Sequence, residues 1–577
     1  MQNRSGRRTL GCVLAFVVAA GVATFAASSG GEKPDALLST MQAELQRAQT
    51  NLSKLDPAPY FLSYSVYDEN VALAFGSEGS LVNSTRARRR AAEVTMRIGT
   101  AALDNSHGMN RASASTSGAL PLEDDRDAIA HELWRLTYEE YRKASKAYLN
   151  VKTNAQVQAQ EEDTSPDFSQ EKPPTHADYK EVAPTPDQRA LEKIAREYSG
   201  DFRQYPYIYA SGVIVMAQRT RFHFLSTEGN HVIAPNAFVR VVIHAETRAD
   251  DGMELMRVET FQAESLEHLP PEGDIAARVK KMATDLKALR EAPLAEPFDG
   301  PALLSGRAAG VFFHEVLGHR LEGHRQRGEQ EGQTFTKKVG QAVLPDFLSV
   351  VDDPTQRTLN GMDLGGWYEY DDEGMPATRV EVIKDGILKN FLMSRMPIKN
   401  FGNSNGHGRA EAGFMPTGRQ GNLIVSSTRT VKDSELRQKL IDEVKKQGKP
   451  YGLYFEDIQG GFTLTLRVLP QAFQVLPVLV WRVYADGRPD ELVRGIDIVG
   501  TPLAALNRIL LTGEKQDVFN GICGAESGQV PVAAVAPAML FSEIEVQKRV
   551  HTLNRPPILP SPSAEGGNPG KDAGPRP

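Results

Sequence analysis

Cysteine is scarce in this chain: only Cys12 and Cys523 occur among its 577 residues. Two cysteines form at most one disulfide, so the sequence excludes a fold that is stabilised by several disulfides. It also excludes a structural zinc site built on several thiolates. If Cys12 is removed with an N-terminal segment, no intramolecular disulfide can form. The remaining Cys523 is then either a small buried apolar residue or a thiolate with a chemical task.

An excess of basic charge is also missing. The chain has 66 Lys and Arg against 73 Asp and Glu, a formal net charge of −7. It therefore offers no general electrostatic attraction to nucleic acid, and we expect no nucleic-acid partner. The one dense basic cluster consists of Arg86, Arg88, Arg89 and Arg90. We expect these four residues to form a solvated face of a strand or turn.

The N-terminus has a basic start followed by an apolar run from Leu10 to about Ala27, with the small residues Thr24 and Ala26 near its end. This pattern predicts a signal peptide over residues 1–27 and export to the periplasm or the extracellular space. The run barely reaches the roughly 18 residues of a minimal membrane span. An uncleaved segment that anchors the protein in a membrane is therefore the alternative.

The length predicts two folded domains plus tails. Residues 35–295 are predicted to form an α+β domain, in which a mixed sheet is covered by helices. Apolar periodicity predicts helices over Asp35–Leu55, Asp127–Val151 and about 273–292, and Glu228-Gly229-Asn230 is a predicted hairpin tip. Residues 152–186 are polar and contain prolines, which predicts an exposed excursion or linker.

A second domain is predicted over residues 298–550. Its segments alternate as strands do, with a turn at Asp385-Gly386, so we expect a predominantly β domain that carries a few helices. Residues 551–577 lack apolar content and are predicted to be a disordered tail. The fold class of the whole chain is therefore predicted as α+β.

The second domain opens with FFHEVLGHRLEGHRQRG, residues 312–328. His314 and His319 are five residues apart, which places them about 140° apart around an ideal helix and about 7.5 Å apart along it. The two histidines of the familiar zinc-protease pattern are four apart and share one helix face. Joint ligation of one metal here predicts a local widening or a break of the helix near Gly318.

Several further segments follow HEVLGHRLEG in order: SVVDDPT, YDDEGMPATRVEVIKDGILKNFLMS, GHGRAEAGFMPTGR and GICGAESGQVPVAAVAPAML. Together they resemble the zinc metalloprotease family named for the TldD and PmbA (TldE) proteins. The resemblance covers Phe298 to Lys548, nearly half of the chain. This chain keeps the full HExxxH motif and so resembles the catalytic, TldD-type members.

The resemblance implies that Zn²⁺ is held by His314, His319 and Cys523, the last in a Gly-x-Cys-Gly segment. Two imidazoles and a thiolate are good zinc ligands, and three protein ligands leave a fourth position for water, as in catalytic sites. Glu315 is then the natural general base, which takes a proton from that water and passes it to the leaving amine.

Other polar residues of the second domain have weaker roles. Glu322 could orient a ligand histidine, or it could cap a helix or form a salt bridge, and both remain open. His324 is expected to be exposed. The acidic run Asp371–Gly374 is expected to be a turn between strands rather than a metal site. His407 and Arg409 lie in a glycine-rich segment and are candidates for peptide contacts.

The resemblance implies a zinc peptidase that acts on unfolded or flexible peptides, held in extended form in a cleft. It also implies a dimer, either a homodimer or a heterodimer with a related subunit that lacks the metal motif. The alternative is a non-catalytic peptide-binding or maturation partner that keeps a metal site for stability. The intact Glu315 favours the peptidase.

Overall fold

The computed structural model describes residues 35–108, 113–154, 163–172, 182–327, 332–465 and 472–549. The predicted signal peptide and the predicted disordered tail lie outside the described residues, as does part of the excursion over 152–186. Within the described ranges, no helix combines the length and the apolar character that crossing a membrane requires. Helices and strands are both abundant, so the predicted α+β fold class is confirmed.

The first part of the described chain is built on an antiparallel sheet of seven strands, in the order β3-β2-β1-β5-β6-β7 with β4 beside β2. The strands are β1 (Pro59–Ser77), β2 (Ser80–Thr100), β3 (Leu103–Asp104), β4 (Ser115–Ala119), β5 (Ala210–Ser226), β6 (His231–Arg248) and β7 (Glu254–Ala263). Four helices accompany it: α1 (Ala36–Leu52), α2 (Arg126–Asn154), α3 (Gln188–Gly200) and α4 (Glu272–Glu291).

The four helices cover one face of this first sheet. Val213, Val215 and Ala217 alternate along β5 and are buried in one apolar cluster with α3 and α4. α1 and α2 pack on the same face at the other end of the long strands. On the opposite face, Tyr67 and Phe222 contact the segment around Tyr370 in the second part of the chain.

The second part carries a sheet of twelve described strands. They include β8 (Phe298–Leu304), β9 (Leu348–Asp352), β12 (Val380–Lys384), β13 (Ile387–Leu388), β16 (Asn422–Ser427), β17 (Thr430–Val431), β18 (Tyr451–Thr463), β19 (Phe473–Tyr484), β20 (Glu491–Val493), β21 (Ile496–Gly500), β22 (Ile509–Ala525) and β23 (Gly528–Lys548). Two short pairs lie apart: β10 (Thr358–Leu359) with β11 (Met362–Asp363), and β14 (Gly408–Arg409) with β15 (Thr417–Gly418).

Five strands of the second sheet close into a ring, because β8 pairs with both β18 and β23, and β19 and β21 connect β18 with β23. The helices of this part are α5 (Gly306–Val316), α6 (Asp433–Gln447) and α7 (Pro502–Leu506). α5 is buried along almost its whole length against β18, β22 and β23. Phe312 fixes it there through edge-on contacts with Phe473 and Phe541.

The first and second parts of the chain pack against each other through buried apolar residues. Leu479 and Leu492 of the second sheet lie in the same apolar cluster as Val241 of the first. The chain from Ala36 onward forms one compact unit by itself. The predicted division into domains over 35–295 and 298–550 stays a prediction.

Most local predictions for the first part hold. The three predicted helices occur as α1, α2 and α4, and Gly229 has a φ of +90° at the hairpin tip between β5 and β6. Arg90 corrects the prediction of a solvated basic face. It is 3% exposed and its Nη2 donates to Asp68 at 2.7 Å and to Asp124 at 2.9 Å. A buried guanidinium requires such acidic partners.

The described part of the excursion also departs from expectation. Phe168 is buried between two guanidiniums, whose carbon atoms lie 4.3 Å (Arg97) and 4.0 Å (Arg395) from the ring centroid. Asp167 accepts a hydrogen bond from Arg327 at 2.9 Å. Residues 167–169 are therefore packed against both parts of the protein rather than exposed.

Candidate metal centre

α5 carries the first two residues of the motif, and its start is well defined. Ser305 caps the helix, since its Oγ accepts a hydrogen bond from the backbone nitrogen of Ala308 at 3.1 Å. Gly310 lets the helix approach β23 closely, because a Cβ there would lie 3.0 Å from the carbonyl oxygen of Ala534. The helix then ends at Val316, so His314 and Glu315 lie in its last turn.

The predicted break occurs where the five-residue spacing required it. After Val316 the chain continues as a 3-10 turn over Gly318–Leu321. The Arg320 guanidinium caps the end of α5, where Nη1 donates to the carbonyl oxygens of Glu315 at 3.3 Å and Val316 at 3.2 Å. The break brings the rings of His314 and His319 together, with centroids 5.0 Å apart.

Cys523 reaches this pair from β22. Its Sγ lies 3.5 Å from Nε2 of His319, and one donor atom from each of the three residues falls within 4.8 Å of the other two. All three side chains are buried. The structure therefore brings together the ligand set that the family resemblance implied. Their binding of a metal stays a prediction.

The three groups also shift one another's ionisation. The pKa values of both imidazoles are raised, although burial by itself would lower them. At His314 the Cys523 thiolate outweighs burial. At His319 the Glu322 carboxylate and the Cys523 thiolate together outweigh it. Burial works to raise the pKa of the Cys523 thiol, but the two imidazoles hold it well below its usual value. The site thus favours the thiolate, the form that binds metals.

Glu322 contacts a candidate ligand directly. Its Oε1 lies 3.1 Å from Nδ1 of His319, and its Oε2 accepts a hydrogen bond from Nε of Arg325 at 2.7 Å. Both roles left open by the sequence are therefore present, since it orients a histidine and forms a salt bridge. Burial works against its charge, but His319 and Arg325 lower the pKa of Glu322 to about 2. With Nδ1 of His319 held, Nε2 faces Cys523.

Glu315 lies beside the three donors. Its Oε2 is 3.9 Å from Nε2 of His319, too long for a hydrogen bond, and the residue is 8% exposed. Gly461 of β18 leaves room for it, because a Cβ at that position would lie 3.0 Å from Cγ of Glu315. The carboxyl group therefore borders the pocket without being tied to a ligand.

His324 corrects the prediction of an exposed histidine. It is 2% exposed, and its Nε2 pairs with Oε1 of Glu526. The cause is the second 3-10 turn, Gly323–Gln326, which is buried near the tip of the β22–β23 hairpin. Arg325 from the same turn also reaches Glu526, at 3.0 Å.

The acidic run Asp371–Gly374 is a turn, as expected. The backbone nitrogen of Gly374 donates to the carbonyl oxygen of Asp371 at 3.0 Å, and Gly374 has a φ of +74°. Oδ1 of Asp371 accepts hydrogen bonds from the backbone nitrogens of Glu373 and Met375. The side chain of Asp371 is therefore occupied within the turn.

Of the two candidates for peptide contacts, His407 is fully buried, with Nε2 at 3.2 Å from Oδ1 of Asp352. That burial is a correction, because His407 has no surface to offer a peptide. Arg409 lies under the ring of Tyr368 and donates to the carbonyl oxygen of Gln420 at 2.6 Å. It does line a cleft of about 320 Å³ between the first sheet, the loop around Trp367 and the outer face of the β22–β23 hairpin.

Sequence reasoning missed the residues that brace this centre. Arg419 donates to the backbone carbonyl of Cys523, and Gln420 lies against Gly318, where a Cβ would come 1.9 Å from its Oε1. Arg419 is the last residue of the segment GHGRAEAGFMPTGR, which resembles the family, but the resemblance gave it no role, and Gln420 lies just outside that segment. Their contacts depend on distant segments, so no local pattern could have indicated them.

The part of the chain that carries the three donors is similar to a domain of known metallopeptidases. Residues 299–548 match the family model described as the PmbA/TldA metallopeptidase C-terminal domain. The resemblance to the TldD/PmbA family seen in the sequence is therefore confirmed for this part of the chain.

The chain is similar to a metalloprotease TldD homolog of Haemophilus influenzae, at 29% identity over 250 residues that cover 43% of this chain and 48% of the relative. It is also similar to a zinc metalloprotease TldD homolog of Saccharolobus solfataricus, at 25% identity over 253 residues, 43% of this chain and 51% of the relative. The chain thus spans about half the length of the curated relatives that it matches.

The fold is similar to that of TldE from Thermococcus kodakarensis. The two structures superpose with a TM-score of 0.56 at 15% identity, over 88% of this chain and 100% of that one. The similarity therefore extends beyond the matched C-terminal domain to the first sheet. At this identity it concerns the fold alone.

Proposed function

We propose that this protein is a zinc-dependent peptidase that hydrolyses the peptide bonds of unfolded or flexible peptides. The observation that carries the proposal is the convergence of His314, His319 and Cys523, whose donor atoms lie within 4.8 Å of one another beside Glu315. The metalloprotease names of the relatives support it.

The residues present fit zinc. Two imidazoles and one thiolate are donors that Zn²⁺ prefers, and Glu322 holds His319 by its other ring nitrogen, as ligand histidines are usually held. The three donors would hold the ion and leave a position open. When bound, zinc supplies a Lewis acid that polarises a peptide carbonyl and makes water more acidic.

Within the proposal, Glu315 is the general base. Its carboxylate borders the donors without hydrogen-bonding to one of them, so it can accept a proton from the attacking water and deliver it to the leaving nitrogen. Glu322 remains ionised and keeps His319 oriented. The buried surroundings of the site exclude bulk water and strengthen these interactions.

The cleft of about 320 Å³ is the proposed entry for substrate, because its lining includes Ile522, the neighbour of Cys523, although Cys523 and the two histidines do not line it. It is lined by aromatic rings, including Tyr67 and Trp367, and by the charged residues Arg89, Arg409 and Glu411. One edge of β22 pairs with β23 along most of its length, while its other edge is largely unpaired in the described chain. An extended peptide can pair with such an edge through its backbone, with little demand on sequence.

Three further features belong to the proposal. The protein is exported to the periplasm or the extracellular space by its N-terminal segment, which is either cleaved or kept as a membrane anchor. It acts as a homodimer or as a heterodimer with a related subunit that lacks the metal motif. Its substrates are unfolded proteins or peptides of that compartment.

The decisive test compares the wild type with Glu315→Gln on an unfolded peptide pool, with zinc measured in both. We expect Glu315→Gln to retain zinc and to lose about 10²- to 10⁴-fold in activity, the usual range for removal of a general base. Glu435→Gln is the control, because Glu435 is an exposed glutamate on α6 that lines neither the centre nor the cleft, and it should match the wild type.

Equal activity of the wild type and Glu315→Gln would contradict the assigned base. A wild type that holds zinc and binds peptides but cuts none, alone or with a related subunit added, would favour the alternative of a non-catalytic peptide-binding or maturation partner. Cutting of folded and unfolded proteins at equal rates would contradict the proposed substrate class.

A further inference from the structure

Arg419 is among the largest side chains that are fully buried in the described chain, at 0% exposure. It lies between β15 and β16, far in sequence from all three candidate ligands. An isolated buried charge is costly, so its guanidinium must be matched by partners. Two of its partners, Cys523 and Glu322, belong to the candidate metal centre.

One side of the guanidinium holds the hairpin that carries Cys523. Nη2 donates to the carbonyl oxygen of Cys523 at 2.8 Å, and Nη1 donates to Oγ of Ser527 at 2.8 Å and to the carbonyl oxygen of Gly528 at 3.2 Å. The two nitrogens thus bind the end of β22, the tip and the start of β23. The planar fork of an arginine fixes their relative positions.

The other side faces the group that orients His319. Nε of Arg419 lies 3.5 Å from Oε1 of Glu322, and the same oxygen lies 3.1 Å from Nδ1 of His319. Both Arg419 and Glu322 are fully buried. One guanidinium therefore links the β22–β23 hairpin to the 3-10 turns that follow α5, across about two hundred residues of sequence.

The loop that presents Arg419 is itself anchored. Its backbone nitrogen donates to the carbonyl oxygen of His407 at 2.9 Å, and the His407 ring is held by Asp352 at 3.2 Å. Asp352 also accepts hydrogen bonds from the backbone nitrogen of Gly421. The buried His407 is thus explained as part of the support for this arginine.

We propose that Arg419 is a positioning residue that sets the distance between Cys523 and His319, through the Cys523 carbonyl and through Glu322. The inference rests on the proposed function only in requiring that these residues bind a metal. It assigns a role to a residue outside the HExxxH and Gly-x-Cys-Gly segments. A lysine could satisfy only one side of the network, because its single ammonium group cannot reproduce the fork.

Cobalt(II) is a suitable probe, because its absorption reports both thiolate ligation and coordination geometry. The full chain is freed of metal, and Co²⁺ is titrated into the wild type, Arg419→Gln and Arg395→Gln. Arg395 is the matched control, since it is 1% exposed and binds Glu228 at 2.7 Å and the carbonyl oxygen of Ser169 at 2.7 Å, away from the centre.

We expect Arg419→Gln to weaken Co²⁺ binding about 10- to 100-fold, the usual effect of losing a group that orients ligands, and to alter the thiolate-to-cobalt absorption band. Arg395→Gln should bind Co²⁺ within about twofold of the wild type. Arg419→Lys should fall between the wild type and Arg419→Gln, and it carries the test if Arg419→Gln does not fold.

The inference would be overturned if Arg419→Gln bound Co²⁺ with wild-type affinity and showed an unchanged absorption band. If Arg419→Gln does not fold, the same outcome in Arg419→Lys would overturn it. Equal weakening in Arg395→Gln would also overturn it, because the effect would then be one of general stability. These outcomes can be distinguished from the case in which the proposed metal centre itself does not exist. In that case the wild type shows no thiolate-to-cobalt band, or Cys523→Ser shows the same band as the wild type.

Discussion

The candidate metal centre and the turn at Asp371–Gly374 both bury several ionisable side chains, but they shift the pKa values of their glutamates in opposite directions. At the centre, burial opposes the charge of Glu322, yet His319 and Arg325 lower its pKa to about 2. At the turn, burial raises the pKa of Glu373 to about 7, although Arg395 opposes the shift. A buried carboxyl group stays ionised only where cationic groups outweigh its lost hydration.

The turn also faces an acidic residue of the first sheet. Burial raises the pKa of Glu93 on β2 to about 8, and the nearby charges of Asp372 and Glu373 push it in the same direction. Among the described residues, only His314, His319 and Cys523 bring three metal-binding donors together.

The largest contrast should come from replacing one glutamate in each region. Glu322→Gln leaves Arg325 and His319 without their buried carboxylate, so we expect a loss of about 3–5 kcal/mol in the free energy of unfolding and about 10- to 100-fold weaker zinc binding. Glu373→Gln replaces a group that is largely protonated at pH 6, one unit below its pKa of about 7. It should cost less than about 1 kcal/mol and leave zinc binding unchanged.

Urea unfolding of the metal-free variants at pH 6, followed by zinc titration, measures both quantities. Equal costs at the two sites would contradict the difference in ionisation on which the comparison rests. Zinc binding that survives Glu322→Gln unchanged would show that His319 needs no orienting carboxylate.

The pH dependence of the free energy of unfolding tests the same difference between ionised and protonated buried carboxyl groups. The folded pKa of Glu93, about 8, lies above its ordinary value of 4.5. Its protonated form is thus favoured by folding, and the contribution to stability is complete below pH 4.5 and is lost as the pH rises through 8. Each unit of pKa difference corresponds to about 1.4 kcal/mol.

Glu93→Gln removes this titration. We therefore expect the stability of Glu93→Gln, relative to the wild type, to rise between pH 4.5 and pH 8, as measured by urea unfolding at several pH values. A difference that stays constant over this range would mean that Glu93 is ionised in the folded protein.

The smallest expected effect concerns Glu315. In Gly461→Ala the new methyl group would lie 2.9 Å from the carbonyl oxygen of Gln474 on β19 and 3.0 Å from Cγ of Glu315, so both the strand pairing and the carboxyl group must adjust by a few tenths of an ångström. Activity on peptides should fall by a factor of a few to about 100, because small misplacements of a catalytic group are costly. Zinc content should not change.

Gly460→Ala is the control for this variant, since a Cβ at Gly460 meets nothing within 4 Å. Equal losses in the two alanine variants would point to a general weakening of β18 rather than to displacement of Glu315.

The parts that sequence analysis predicted are those set by local periodicity. α1, α2 and α4 follow from regularly spaced apolar residues, and the break after Val316 follows from the five-residue spacing of His314 and His319. The family resemblance supplied Cys523. No local pattern could have done so, because β22 brings it to His319 across 204 positions of the chain.

The parts that sequence analysis missed depend on tertiary packing. His324 looks like a surface histidine in sequence, but the turn that carries it is buried and pairs it with Glu526. Arg90, His407 and Arg419 are buried for the same reason, since each meets a partner from a distant segment. Burial of a polar residue is decided by such partners, which no single segment contains.

The central claim is that Cys523 completes a zinc site with His314 and His319, and zinc content tests it most directly. Elemental analysis of the purified wild type, Cys523→Ser and Glu315→Gln gives zinc per chain. We expect about one zinc per chain in the wild type and in Glu315→Gln, and a strong loss of zinc in Cys523→Ser. Zinc bound equally well by Cys523→Ser would contradict the claim and place the metal elsewhere.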